Sequence, residues 1–135
     1  MKDCIFCQIV KGKSPAHKVW QDKNHLSFLT IFPNTEAFTV VITKKHFGSN
    51  FTKAPDEVLK EIIIAAKKTA QKILKAYPET ERVGLVIEGE GVDHLHVKLI
   101  PMHPNSYKGF LTTKGGKRAD NKKLAQIAKR IRTGE

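Results

Sequence analysis

The 135-residue sequence contains no apolar run approaching the length of a helical bilayer span, so an integral helical membrane protein is excluded. Its opening, Met1-Lys2-Asp3-Cys4, lacks the long apolar stretch of a secretory leader, and a cytoplasmic protein with no membrane association is expected. Cysteine is scarce. The two present, Cys4 and Cys7, are too few for a secreted disulfide framework, and in a reducing compartment their spacing points to metal binding or redox chemistry. Acidic residues are also few, 13 against 24 Lys and Arg, for a net charge of +11. The imbalance is steepest at the end, where residues 102–135 hold nine Lys/Arg and two Asp/Glu. Such an excess suits anionic partners such as nucleotides, nucleic acid or a membrane surface, although a basic surface also serves solubility. There is no internal repeat or low-complexity tract, so a solenoid is excluded. The length suits one domain over residues 1–135, ending in the basic segment 102–135.

Residues 4–10 form a short helical turn by pattern, broken at Lys11-Gly12-Lys13-Ser14-Pro15. Strands are expected over 18–21 and 26–30, joined by the polar turn Asp22-Lys23-Asn24, and over the β-branched run 38–43. Pro33 fixes the loop 31–36 between them. Ala54-Pro55-Asp56-Glu57 is a helix start, with Pro where no hydrogen bond is lost and acids at the positive end of the dipole. Leu59, Ile62, Ile63, Ala66, Ala70, Ile73, Leu74 and Tyr77 then recur at helical spacing until Pro78. Two more strands are expected at 83–87 and 95–100. A last helix over 121–132 carries Leu124, Ile127, Ala128 and Ile131 on one face. Consecutive strands, a helix and further strands predict an antiparallel α+β sheet, because the alternating order of a parallel sheet is absent.

The chemistry concentrates in Asp93-His94-Leu95-His96-Val97-Lys98-Leu99-Ile100-Pro101. On a strand, alternate side chains share a face, so His94, His96 and Lys98 line one side while Leu95, Val97 and Leu99 enter the core. Three readings are open at this point. Both imidazoles could hold one metal, one could be a nucleophile while the other does something else, or both could simply face solvent.

This segment resembles the signature of the histidine triad (HIT) superfamily, in which three histidines alternate with apolar residues before a short apolar tail. Cys4-Ile5-Phe6-Cys7-Gln8-Ile9-Val10-Lys11-Gly12 resembles the opening of bacterial and archaeal members. Phe38-Thr39-Val40-Val41-Ile42-Thr43-Lys44-Lys45-His46 is similar to the strand that ends in Lys-Lys-His in many of them. Leu124-Ala125-Gln126-Ile127-Ala128-Lys129-Arg130-Ile131 resembles the family's C-terminal element. The likeness runs in order from Cys4 to about Arg132.

The resemblance implies a five-stranded antiparallel sheet with a long helix and a C-terminal helix, paired as a homodimer through the long helix and a neighbouring strand. It implies that His96 attacks the α-phosphorus of a nucleotide derivative, giving a nucleotidyl-histidine that passes to water or another acceptor, with Lys98 as the second catalytic position. A neutral imidazole suits that task near pH 7. In CxxC-bearing relatives a structural zinc is held by residues matching Cys4, Cys7, His46 and His94, a closed donor set with no open position for catalysis. Ile5, Phe6, Phe28 and Ile31 match positions lining the base and ribose pocket, and Asn34 lies in a loop beside it by analogy. His103 is near the site or exposed, while His17 and His25 are expected at the surface.

Three departures stand out. Lys98 occupies the position of the third histidine, and an ammonium attracts phosphate oxygens but is a poor proton acceptor at neutral pH. Thr30 stands where many relatives have an aspartate that contacts ribose hydroxyls. The segment Ile87-Glu88-Gly89-Glu90-Gly91-Val92 is shorter than the usual phosphate-contacting segment and brings two acids. The expected function is a zinc-containing nucleotide hydrolase or phosphoramidase acting on nucleoside phosphoramidates or dinucleoside polyphosphates. The alternatives are a nucleotidyltransferase to a phosphate or sugar-phosphate acceptor, and a non-catalytic nucleotide- or nucleic-acid-binding protein working through the basic C-terminal segment, beside Tyr107 and Phe110.

Overall fold

A computed structural model of the chain describes residues 3–134. The outer bounds of the expected domain, residues 1 and 135, lie outside the described residues. The elements in order are helix α1 (Ile5–Val10), strands β1 (Lys18–Gln21), β2 (His25–Leu29) and β3 (Thr39–Thr43), helix α2 (Asp56–Ala76), strands β4 (Val83–Val86) and β5 (His96–Pro101), and helix α3 (Asn121–Thr133). Each expected element is present, with ends displaced by one or two residues. The strands form one five-stranded sheet in the order β1-β2-β3-β5-β4, with every neighbouring pair antiparallel. Among the described residues no helix is long and apolar enough to cross a membrane.

The two faces of the sheet do different work. On one face, Leu29, Val41, Leu95, Val97 and Leu99 pack against Ile62, Ala66 and Ile73 of α2 and against Leu124, Ala128 and Ile131 of α3. The buried face of α2 is Ile62, Ala65, Ala66, Thr69, Ile73 and Ala76. Ile63, expected within that stripe, points outward with Ile64, because the helix turns about 100° per residue and the sheet covers only one side. Pro55 sits just outside α2 as its N-cap, without a side-chain cap, and Asp56 and Glu57 fill the first turn at the positive end of the dipole.

On the other face, Leu26, Phe28, Val40 and Ile42 are covered by α1 through Ile9, Phe6 and Val10. Cys4 caps this short helix, its sulfur accepting from the Cys7 N–H at 3.3 Å. Gly12 ends it in the left-handed region (φ 76°), which a glycine adopts without a Cβ clash. Helix α1 therefore lies across the face that carries His94 and His96.

His25 is a correction to the expectation of a surface residue. It is buried at the start of β2, and its Nδ1 lies 3.0 Å from Asp22 Oδ1, so the Asp22-Lys23-Asn24 turn folds back over the ring. His17 is half-buried, 3.4 Å from the Asn121 side chain.

Candidate functional site

β5 lies between β3 and β4, with His96 opposite Ile42 and Lys98 opposite both Val40 and Val86. Leu95, Val97 and Leu99 enter the core, as alternation requires. His94 and His96 are also buried, 0% and 4% exposed, because α1 covers their face, and this excludes the reading in which both merely face solvent. The Phe6 ring stands edge-on to three others, at centroid distances of 5.5 Å to Phe28, 5.8 Å to His94 and 5.3 Å to His96.

The proton positions on the two imidazoles follow from their partners. His94 Nε2 lies 2.7 Å from the Thr43 carbonyl oxygen, which can only accept, so Nε2 carries the proton and Nδ1 presents a lone pair. That Nδ1 is 3.2 Å from Cys4 Sγ, 3.5 Å from Cys7 Sγ and 3.2 Å from His46 Nδ1, while His46 Nδ1 is 3.3 Å from Cys7 Sγ. The four ligand atoms all lie within 4.8 Å of one another. A tetrahedral zinc at ordinary bond lengths has ligand–ligand edges of about 3.3 to 3.8 Å. Two sulfurs and two imidazole nitrogens converging at these distances form a group that could hold a metal ion. Burial pushes the Cys4 thiol up and the His94 imidazole down, so a dication here would displace thiol protons on binding.

His96 has the opposite arrangement. Its Nδ1 donates to the His94 carbonyl at 2.6 Å, which leaves the lone pair on Nε2. Burial holds the imidazole below its ordinary value and keeps it neutral near pH 7. One segment thus presents one imidazole toward the cysteine cluster and a second whose Nε2 carries the lone pair.

Near His96 the structure joins Lys98 and Glu88 to two residues that sequence reasoning did not single out, Thr113 and Ser49. Lys98 Nζ donates to Glu88 Oε1, and the Thr113 hydroxyl donates to Glu88 Oε2 at 2.7 Å. These two bonds hold the Glu88 carboxyl below the usual range. The loop that carries Glu88 is pinned by Asp93, whose Oδ1 accepts from the Ser49 N–H at 2.9 Å, and by Ser49 Oγ, which donates to the Gly89 carbonyl at 2.9 Å. Gly89 (φ 79°) lies so close that a Cβ there would sit 3.0 Å from the Ser49 carbonyl oxygen. Only the acid directly preceding the His-x-His pair could have signalled this bracing.

The other expected site residues divide. Phe6 and Phe28 meet beside His96, whereas Ile5 and Ile31 are 45% and 39% exposed. Thr30 and Asn34 share a cleft of about 260 Å³ with Leu29, Lys123 and Ile127, between the β2–β3 loop and α3. Thr30 Oγ1 accepts from the Phe32 N–H, and Asn34 Nδ2 donates to the carbonyls of Thr112 and Lys114 at 2.7 and 3.0 Å. His103 is buried elsewhere. It donates from Nε2 to the Glu36 carbonyl at 2.8 Å and lies 2.5 Å from Thr80 Oγ1, a structural tie.

Comparison with known proteins matches the HIT domain model to residues 11–105. An uncharacterised HIT-like protein of Methanocaldococcus jannaschii is 36% identical over 104 residues, covering 74% of this chain and 79% of that protein. An adenosine 5'-monophosphoramidase of Saccharomyces cerevisiae is 32% identical over 129 residues, 95% of this chain and 80% of that protein. Among solved structures, a hypothetical histidine triad nucleotide-binding protein of Sulfolobus tokodaii superposes with a TM-score of 0.83 at 27% identity, covering 97% of this chain and 91% of that one.

Proposed function

The chain belongs to the HIT family, and from that premise we propose that it is a nucleotide hydrolase that cleaves at the α-phosphate through a nucleotidyl-histidine on His96. The observation that carries this reading is the Nδ1–H of His96 donating to the His94 carbonyl, which leaves Nε2 as a buried, neutral nucleophile. Nucleoside phosphoramidates are the proposed substrates, in keeping with the activity named for the yeast relative.

In the first step the Nε2 lone pair forms a bond to phosphorus. The bond from phosphorus to the leaving nitrogen breaks, and its electron pair departs with that nitrogen, which takes up a proton from solvent. The His94 carbonyl stabilises the positive charge gained by the imidazole, and the Lys98 ammonium, two residues along the same face, stabilises the phosphoryl oxygens. In the second step water adds to phosphorus and gives up a proton, the bond to Nε2 breaks with its pair returning to the ring, and the nucleoside monophosphate is released. Phe6 and Phe28 supply the apolar wall for the base. Ile5 and Ile31 are assigned to its exposed rim, and Thr30 and Asn34, in the cleft beside α3, act on it through the 31–34 loop and the backbone of 112–114.

Cys4, Cys7, His46 and His94 hold zinc in this reading. A metal held there would be structural, with Cys4 and Cys7 ahead of and within α1, His46 after β3 and His94 before β5 as its ligands, leaving His96 for chemistry. Homodimerisation through α2, whose Ile63 and Ile64 are 40% and 51% exposed, and residence in the cytoplasm belong to the same reading. Exposed Phe110 and Tyr107 beside Lys108 favour a second reading, nucleic-acid binding, which requires oligonucleotide affinity that falls steeply with salt.

The test is release of AMP from adenosine phosphoramidate. His96→Ala should lower kcat by more than about 10³-fold with an unchanged circular dichroism spectrum. Turnover near wild type in that variant would remove His96 from the mechanism.

A further inference from the structure

Lys98, two residues beyond His96 on β5, is paired with Glu88. Glu88 follows Val86, the β4 residue in register with Lys98, by two positions. Its side chain is 24% exposed and the residue as a whole lies at the surface. It is gripped from both sides, by Lys98 from the sheet and by Thr113 from the segment that leads to α3. That segment is itself tied down. Asn34 Nδ2 holds the carbonyls of Thr112 and Lys114, and the Gly116 N–H donates to the Phe32 carbonyl at 3.1 Å. Gly116 lies so close to the loop that a Cβ there would sit 2.3 Å from the Pro33 carbonyl oxygen. At its other end, Leu111 lies directly over Gly84 of β4. Two hydrogen bonds from anchored segments thus orient the carboxylate.

We propose that Glu88, fixed by Lys98 and Thr113, selects the leaving group, favouring a nitrogen that carries hydrogen and disfavouring a polyphosphate. The inference rests on the nucleotidyl-transfer reading of His96 and names the specificity of that same site. An α-phosphate at His96 brings negative charge against the Lys98–Glu88 pair, and Lys98 can be shared between phosphate and carboxylate. A leaving group with further phosphates adds charges of the same sign as Glu88, and juxtaposed like charges are strongly discriminated against. An amine or amide leaving group instead offers N–H bonds that the fixed carboxylate accepts.

The experiment compares kcat/KM for adenosine phosphoramidate and for diadenosine tetraphosphate in wild type, Glu88→Gln, Thr113→Val and Glu90→Gln. Wild type should prefer the phosphoramidate. Glu88→Gln, which keeps the side-chain shape and removes the charge, should shift the ratio toward the tetraphosphate by about tenfold. Thr113→Val should shift it the same way by less, since it loosens the carboxylate without removing it. Glu90→Gln, an exposed acid on the same loop, should leave the ratio within about twofold, the spread expected of a change that touches no substrate. Turnover of both substrates with an unchanged ratio in Glu88→Gln overturns this inference and leaves the His96 reading standing. Turnover of neither substrate by wild type overturns both.

Discussion

Removing metal from the cysteine–histidine cluster should destabilise the whole chain. The four ligand atoms come from three segments: Cys4 and Cys7 at the N-terminus, His46 after β3 and His94 before β5, with contacts spanning up to 90 residues of sequence. A metal that binds only the folded arrangement stabilises it by mass action, by about 4 kcal/mol when free zinc stands roughly a thousandfold above its dissociation constant. A chain of 135 residues gains on the order of 0.28 kcal/mol/K of entropy on unfolding, so the expected fall in Tm on chelation is roughly 14 °C. Differential scanning calorimetry before and after dialysis against a chelator, with metal analysis of both samples, measures it. Cys7→Ser should show the lower Tm without chelator, and added zinc should not restore it. Protein purified without added zinc that contains no zinc, with a Tm insensitive to both zinc and chelator, would refute a metal at this cluster.

Gly89→Ala should cost more than about 1 kcal/mol in urea denaturation, because φ is positive and the new Cβ would meet the Ser49 carbonyl oxygen at 3.0 Å. Ile62→Ala, at a position 0% exposed between α2 and the sheet, should cost about 2 to 5 kcal/mol by the same measurement. Glu88 contributes a pH-dependent increment. Its folded pKa is depressed by hydrogen bonds from Lys98 and Thr113, so the stabilisation is present above the unfolded carboxylate value and is lost as pH falls through the folded one. Glu88→Gln should therefore be less stable than wild type at pH 7, by under about 1 kcal/mol for a pair this accessible, with the gap closing on acidification. A gap that widens toward low pH would contradict that assignment.

Much of the fold was legible because burial follows periodicity. The alternation at 95–100 and the 3.6-residue stripe of α2 placed the sheet and its covering helix within a residue or two. Ile63 misled because it borders the stripe and is apolar for a surface position. The pairing of His94 with Cys4, Cys7 and His46 came from the family resemblance, and the structure brings these four together. His25 and His103 were not legible, since their burial depends on a turn folding back and on Glu36 and Thr80 arriving from distant segments. Glu88 was read as one of two acids on a loop. Nothing local could show that Thr113, 25 residues away, and Lys98 would both hold its carboxylate. The tautomers of His94 and His96 likewise depend on backbone carbonyls, which become positioned only when the strands pair.

The most direct test of the central claim is intact-mass spectrometry of the protein quenched within milliseconds of mixing with adenosine phosphoramidate. The account predicts a transient mass gain of one adenylyl group, mapped to His96 by peptide sequencing and absent in His96→Ala. AMP release at the wild-type rate with no adduct, or an adduct that persists in His96→Ala, would contradict it.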